Sequence, residues 1–109
     1  MSTEDDVRRI ATALPEVDER SSYGTPAFYV AGKIFARLHE RPGMLVCWRA
    51  NLGERELLLA ADPDKFFTTD HYTGHASVLV RLEHVDAEEL TELLAEAWDA
   101  RAPRRLKNE

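Results

Sequence analysis

Apolar positions recur at two periods along this chain, and the changes between them mark out its elements. Val7, Ile10, Ala11 and Leu14 fall at i, i+3, i+4 and i+7, which predicts a helix. Ser2 or Thr3 can cap it, Glu4, Asp5 and Asp6 suit the positive end of its dipole, and Pro15 stops it. A polar connection over residues 15–25 ends in Gly24-Thr25-Pro26. Period-two runs follow at Phe28–Val30 and Ile34–Leu38, expected to form a hairpin about Ala31-Gly32. A third strand, Met44–Ala50, comes after the Arg41-Pro42-Gly43 turn. Asn51 can cap a short helix holding Leu57, Leu58, Ala60 and Ala61, closed by Asp62-Pro63. Phe66–Thr69 reads as a brief extended segment, residues 70–76 as an exposed loop, and Ser77–Leu82 as a strand. In the last helix Asp86 and Glu89 take cap and N3 positions, and Leu90, Leu93, Leu94, Ala97 and Trp98 mark one face before Pro103. The expected architecture is α+β, a single domain over 1–109 with a twisted antiparallel sheet packed on helices. Its order is α-β-β-β-α-β-β-α, with a core over about 3–101 and a basic, solvated tail over 102–109.

Strand alternation sorts side chains by face. Ile34, Ala36 and Leu38 oppose Lys33, Phe35 and Arg37; Met44, Val46 and Trp48 oppose Leu45, Cys47 and Arg49; Val78, Val80 and Leu82 oppose Leu79 and Arg81. The first set of each pair is wholly apolar and is expected to face the helices. The second sets would then display Arg37, Arg49 and Arg81 among Phe35, Leu45, Cys47 and Leu79. Such an apolar and basic sheet face suits a flat small molecule or an acidic protein partner, because guanidinium groups stack and bind anions.

Composition narrows the function classes. The chain carries a formal net charge of −6, which argues against a strong, indiscriminate nucleic-acid binder. The charge is uneven: residues 1–100 hold 10 Lys/Arg against 19 Asp/Glu, whereas over residues 101–109 Arg101, Arg104, Arg105 and Lys107 face only Glu109. No apolar run approaches the roughly 18 residues of a membrane span, so no membrane partner is expected. The acidic start and the single Cys47 point to a cytoplasmic protein without an internal disulfide.

The pattern Leu14-Pro15, Tyr23-Gly24-Thr25-Pro26-Ala27-Phe28, Gly32-Lys33-Ile34-Phe35-Ala36 and Phe66-Phe67 resembles the MmcQ/YjbR family. The likeness continues through His71-Tyr72, Val78-Leu79-Val80-Arg81-Leu82 and Leu93-Leu94-Ala95-Glu96-Ala97-Trp98, covering roughly residues 7–100. It implies a small α/β domain similar in shape to the bacterial frataxin CyaY. It also implies a non-enzymatic DNA-binding role for protruding β-hairpins read as a double wing, with no catalytic residues and no cofactor. On that resemblance the wings are the hairpin about Ala31-Gly32 and the loop 70–75. The nucleic-acid contacts would be Lys33, Arg37, Arg49, Arg81, His71, Tyr72 and His75, giving weak, salt-sensitive binding to double-stranded DNA. The domain is expected as a monomer or weak homodimer.

Other constellations weigh less. His71 and His75 have helical ligand spacing, but Tyr72-Thr73-Gly74 predicts a loop and no third ligand accompanies them, so no metal site is assigned. Glu4, Asp5, Asp6, Asp18 and Glu19 form an acidic surface of the kind that binds iron in frataxins, and helix-dipole preference explains it more simply. No Gly-rich phosphate loop or Ser/His/Asp signature is visible.

Overall fold

The first helix starts on a reciprocal cap. Thr3 Oγ1 accepts the Asp6 N–H at 3.1 Å, and the Asp6 carboxylate accepts the Thr3 N–H at 2.9 Å. That backbone bond, followed by one from Arg9, holds the Asp6 carboxyl below its ordinary value. The computed structural model describes residues 1–69, 72 and 74–107. In chain order these form α1 (Glu4–Thr12), β1 (Val17–Ser22), β2 (Thr25–Val30), β3 (Lys33–Leu38) and β4 (Met44–Trp48). There follow α2 (Leu52–Ala61), β5 (Phe66–Phe67), β6 (Ser77–Arg81), a 3-10 turn at Leu82–His84, α3 (Ala87–Arg101) and α4 (Arg104–Lys107).

The strands make one antiparallel sheet of order β1-β2-β3-β4-β6-β5. Two of its elements go beyond the order expected from sequence. β1 lies in the stretch expected as a polar connection; it is an edge strand with a mostly exposed Asp-Glu-Arg-Ser interior. Its hydrogen bonds to β2 hold it rather than an apolar face, and its charges suit an unpaired edge. The tail forms the short α4, whose Leu106 packs against the core.

One sheet face carries Phe28, Val30, Ala36, Leu38, Leu45, Cys47, Val78 and Val80 into a core shared with Val7, Ile10 and Ala11 of α1 and Leu90, Leu94 and Ala97 of α3. Trp98 Nε1–H donates to Pro15 O at 3.0 Å, tying α3 to the connection after α1. α2 packs along β5 and β6. Leu94 is fully buried, so Leu94→Ala would cost about 2–5 kcal/mol.

Register departs from simple alternation in two places. Between β2 and β3, Phe28 pairs with Ala36 and Tyr29 with Ile34, which leaves Phe35 as the extra residue of a bulge. Phe35 and Ala36 both enter the core, and Ile34 turns to the other face. In β4 the expected faces are exchanged. Leu45 pairs with Val80 and Cys47 with Val78, on the helix side, while Val46 pairs with Leu79 on the outer side. Phe35, Leu45 and Cys47 therefore leave the expected ligand face. Both sets of β4 side chains are apolar, so its sequence carried no alternation to read.

Candidate functional site

The outer sheet face is built from cross-strand rows. Arg37 stands opposite Ala27 on one side and Val46 on the other, and the row continues to Leu79 and Phe67. Tyr29 pairs with Ile34, and Trp48 with Ser77. Tyr72, on the segment linking β5 to β6, reaches this face and is held at both ends by buried arginines. Arg37 Nη2 donates to the Tyr72 hydroxyl at 2.8 Å, and Arg55 Nη2 donates to the Tyr72 carbonyl at 3.4 Å. Arg55, on α2, also donates to Ser77 O at 3.0 Å and to Thr68 Oγ1 at 2.9 Å. It is a positioning residue for Thr68, Tyr72 and Ser77.

These elements enclose a cavity of about 360 Å³. Its aromatic wall is Tyr23, Tyr29, Trp48 and Tyr72, with Arg37 and His75 as the basic groups. The aromatic usage is selective. All three tyrosines of the chain line this one space, whereas Phe28, Phe35 and Phe66 are buried in the core. Tyrosine has an apolar ring and a polar tip, which suits a wet, concave surface better than a dry core. Tyr23 is 88% exposed and holds a positive φ of 55°, so packing does not explain its position.

Arg37 is 8% exposed yet ionic. Its Nη1 donates to Thr25 Oγ1 at 3.1 Å and to Glu40 at 3.4 Å, leaving the guanidinium fixed in orientation. Arg49, expected beside it, lies on the opposite face. Its Nη2 donates to Glu96 of α3 at 2.7 Å and to Glu54 of α2 at 3.3 Å, while Nε and Nη1 are buried without a partner. A second cleft of about 330 Å³ beside it is lined by Glu54, Glu96 and Asp99 among alanines, and two of those carboxylates already neutralise Arg49. Cys47 is closed off by the core: burial pushes its thiol up to about 11, against a lesser opposing pull from Arg49, and its Sγ donates to Leu93 O at 3.6 Å.

The remaining sequence candidates scatter. Arg81 does lie on the outer face, but it stacks on Phe67 at 4.1 Å and donates to the Asp64 carbonyl at 3.1 Å. Leu79 is buried on that face. Lys33 sits exposed beside the β2–β3 turn. His71 lies outside the described residues. Thus Arg37, Tyr72 and His75 come together, whereas Lys33, Arg49 and Arg81 do not join them. Sequence reading missed Tyr23, Tyr29, Trp48 and Arg55. The division of labour between Tyr and Phe was the signal that could have found the first two. Among the described residues no group of three or more His, Cys, Asp or Glu could hold a metal ion, and no helix is long and apolar enough to cross a membrane.

Comparison with known proteins places this geometry in a family. The chain is 34% identical to the uncharacterized protein Rv2570 of Mycobacterium tuberculosis and to the uncharacterized protein Mb2600 of Mycobacterium bovis, across 97% of this chain and 93% of each relative. The crystal structure of Deinococcus radiodurans protein DR2400, described as domain DUF419, matches with a TM-score of 0.72 at 24% identity, covering all of this chain and 97% of that one; the two share a fold. The YjbR family model matches residues 12–100. By sequence and by fold, the chain belongs to the YjbR family.

Proposed function

We propose that this domain is a binding module that takes a small organic ligand in the outer-face cavity. The observation that carries this reading is the convergence of all three tyrosines and Trp48 on a fixed, buried Arg37. The volume falls at the lower end of the range for small-molecule sites, roughly 300–1,000 Å³, and the mixture of flat apolar walls with a few placed polar groups is what such sites use. A library of small neutral, anionic and cationic aromatic compounds, screened by amide chemical-shift perturbation, tests it. Hits should shift Tyr29, Arg37, Trp48 and Ser77 together, and Trp48→Leu should weaken them. A screen in which no class of compound perturbs those amides refutes the reading.

A second reading, duplex DNA binding, is favoured by one feature. The exposed Lys33 turn and the basic end of the chain are brought together, because Arg101 Nε donates to Ile34 O at 2.9 Å and α4 follows directly. On this reading Lys33, Arg101 and Arg104 meet phosphates, in place of the arginines of the sheet. Duplex binding measured by fluorescence anisotropy at two salt concentrations tests it.

A further inference from the structure

We infer that the cavity selects a planar aromatic carboxylate, with Arg37 as the anion anchor. The inference rests on the cavity being a ligand site and adds the chemical class of its occupant.

Charge gives the sign of the ligand. On a chain of net −6, the described lining residues include Arg37 and His75 and no carboxylate. An aromatic cage alone would suit a quaternary ammonium, but a guanidinium in the wall repels a cation. Donor geometry gives the kind of anion. An arginine has five N–H groups in a planar fork. Here Nη1 is used by Thr25, Leu38 O and Glu40, and Nη2 gives one bond to Tyr72, which leaves Nε–H without a protein partner among the described residues. Glu40 sits on the Nη1 edge and its side chain is 55% exposed, so it balances charge from the rim, and Nε–H with the second Nη2 hydrogen stays available to a ligand. One such edge matches the two oxygens of a carboxylate. A phosphate, with its higher charge, is better met by several guanidinium or ammonium groups, and Arg37 is the one such group among the described lining residues.

Shape gives the remainder. Tyr29 of β2 and Trp48 of β4 line the cavity from the sheet, and Tyr23 and Tyr72 line it from connecting segments. Flat rings lining a small cavity favour a planar ligand, through offset stacking and edge contacts. A cavity of about 360 Å³ accommodates one single or fused ring with a short acidic arm.

The experiment uses three probes on the full chain: indole-3-acetate, its neutral counterpart indole-3-ethanol, and the non-aromatic cyclohexane carboxylate. Amide shifts and calorimetry read the binding. Indole-3-acetate is expected to bind with shifts at Tyr29, Arg37 and Trp48, and each control about tenfold more weakly or worse, since either the charged bond or the stacking is lost. Arg37→Lys should remove most of the preference for acid over alcohol. Because Arg37 also holds Tyr72, Tyr29→Leu serves as a second variant, lowering affinity for the indole acid while leaving the cyclohexane acid unchanged. Binding of the alcohol as tightly as the acid overturns the carboxylate inference and leaves the cavity as a ligand site. Binding of the cyclohexane acid as tightly as the indole acid overturns the aromatic part in the same way. Silence from all three probes overturns this inference, and the broader screen then decides separately on the cavity.

Discussion

At the scale of single residues, burial decides which reactive-looking groups are available. Cys47 sits two residues from Arg49, and on an open face that neighbour would favour a thiolate. In the folded protein desolvation wins and raises the thiol from 9.0 to about 11. Native protein at pH 8 should therefore react with a thiol-specific disulfide reagent only as fast as it unfolds, and fully in concentrated urea. The same shift gives a sign for stability. Below pH 9 the thiol is neutral in both states, so nothing is lost. Between pH 9 and about 11 the unfolded chain ionises and the native chain does not, costing up to about 1.4 kcal/mol per pH unit. The stability advantage of the native sequence over Cys47→Ala, from urea midpoints, should shrink as pH rises from 8 to 10.5. A constant gap, or rapid modification at pH 8, would show that the thiol is accessible. Arg49 makes the complementary point: its charge suggested an outward side chain, and it is instead held at the helix side by Glu96 and Glu54.

At the scale of elements, what was legible depended on whether the determinant was local. Helix starts were readable because Thr3, Asn51 and Asp86 each bond an amide three residues on. β1 was not, because its warrant is pairing with β2 and only Val17 in it is apolar. The exchange of faces in β4 was hidden by apolar side chains on both sides, and the bulge at Phe35 is visible only once β2 is in place. The cavity draws Tyr23, Tyr29, Trp48 and Tyr72 from separate segments, so spacing in the chain could not assemble it. The two hairpin turns carry a testable contrast. Ser22–Thr25 and Val30–Lys33 are each joined by two residues at positive φ, Tyr23-Gly24 and Ala31-Gly32. This is the turn geometry that matches strand twist and prefers Asn-Gly. Ala31→Asn should stabilise the fold by about 0.5–1 kcal/mol, since alanine is strained there. Tyr23→Asn should stabilise it similarly, yet weaken ligand binding, because Tyr23 is a cavity wall. Urea melts and the indole-3-acetate titration read the two effects. Equal binding by Tyr23→Asn would mean that the strain at this turn has no role in the site.

At the scale of the whole molecule, the distribution of charge sets how a polyanion would be met. Most cations are committed: Arg8 to Glu19, Lys65 to Glu89, Arg49 to Glu96 and Arg105 to Glu16. The exposed pairs among these contribute little to stability, but each pair, the buried Arg49 included, cancels a charge that a phosphate would need. Part of the positive charge that has no carboxylate partner lies where the β2–β3 turn meets the end of α3, at Lys33 and Arg104 with Arg101 beside them. Three to five phosphate contacts give a log–log salt slope of about −2.7 to −4.5. On the duplex reading, anisotropy with a short duplex should show binding at 50 mM salt that falls by about forty- to five-hundredfold at 200 mM. Lys33→Glu with Arg104→Glu should abolish the binding, while Arg81→Glu, whose guanidinium is stacked on Phe67 and bonded to backbone carbonyls, should leave the slope unchanged. The opposite pattern, loss with Arg81→Glu and none with Lys33→Glu, would return the nucleic-acid surface to the sheet face. It would then compete directly with the carboxylate at Arg37, and indole-3-acetate would displace the duplex. On the duplex reading the two should bind independently, because Lys33 pairs with core-facing Val30 on the helix side whereas Arg37 lies on the outer face.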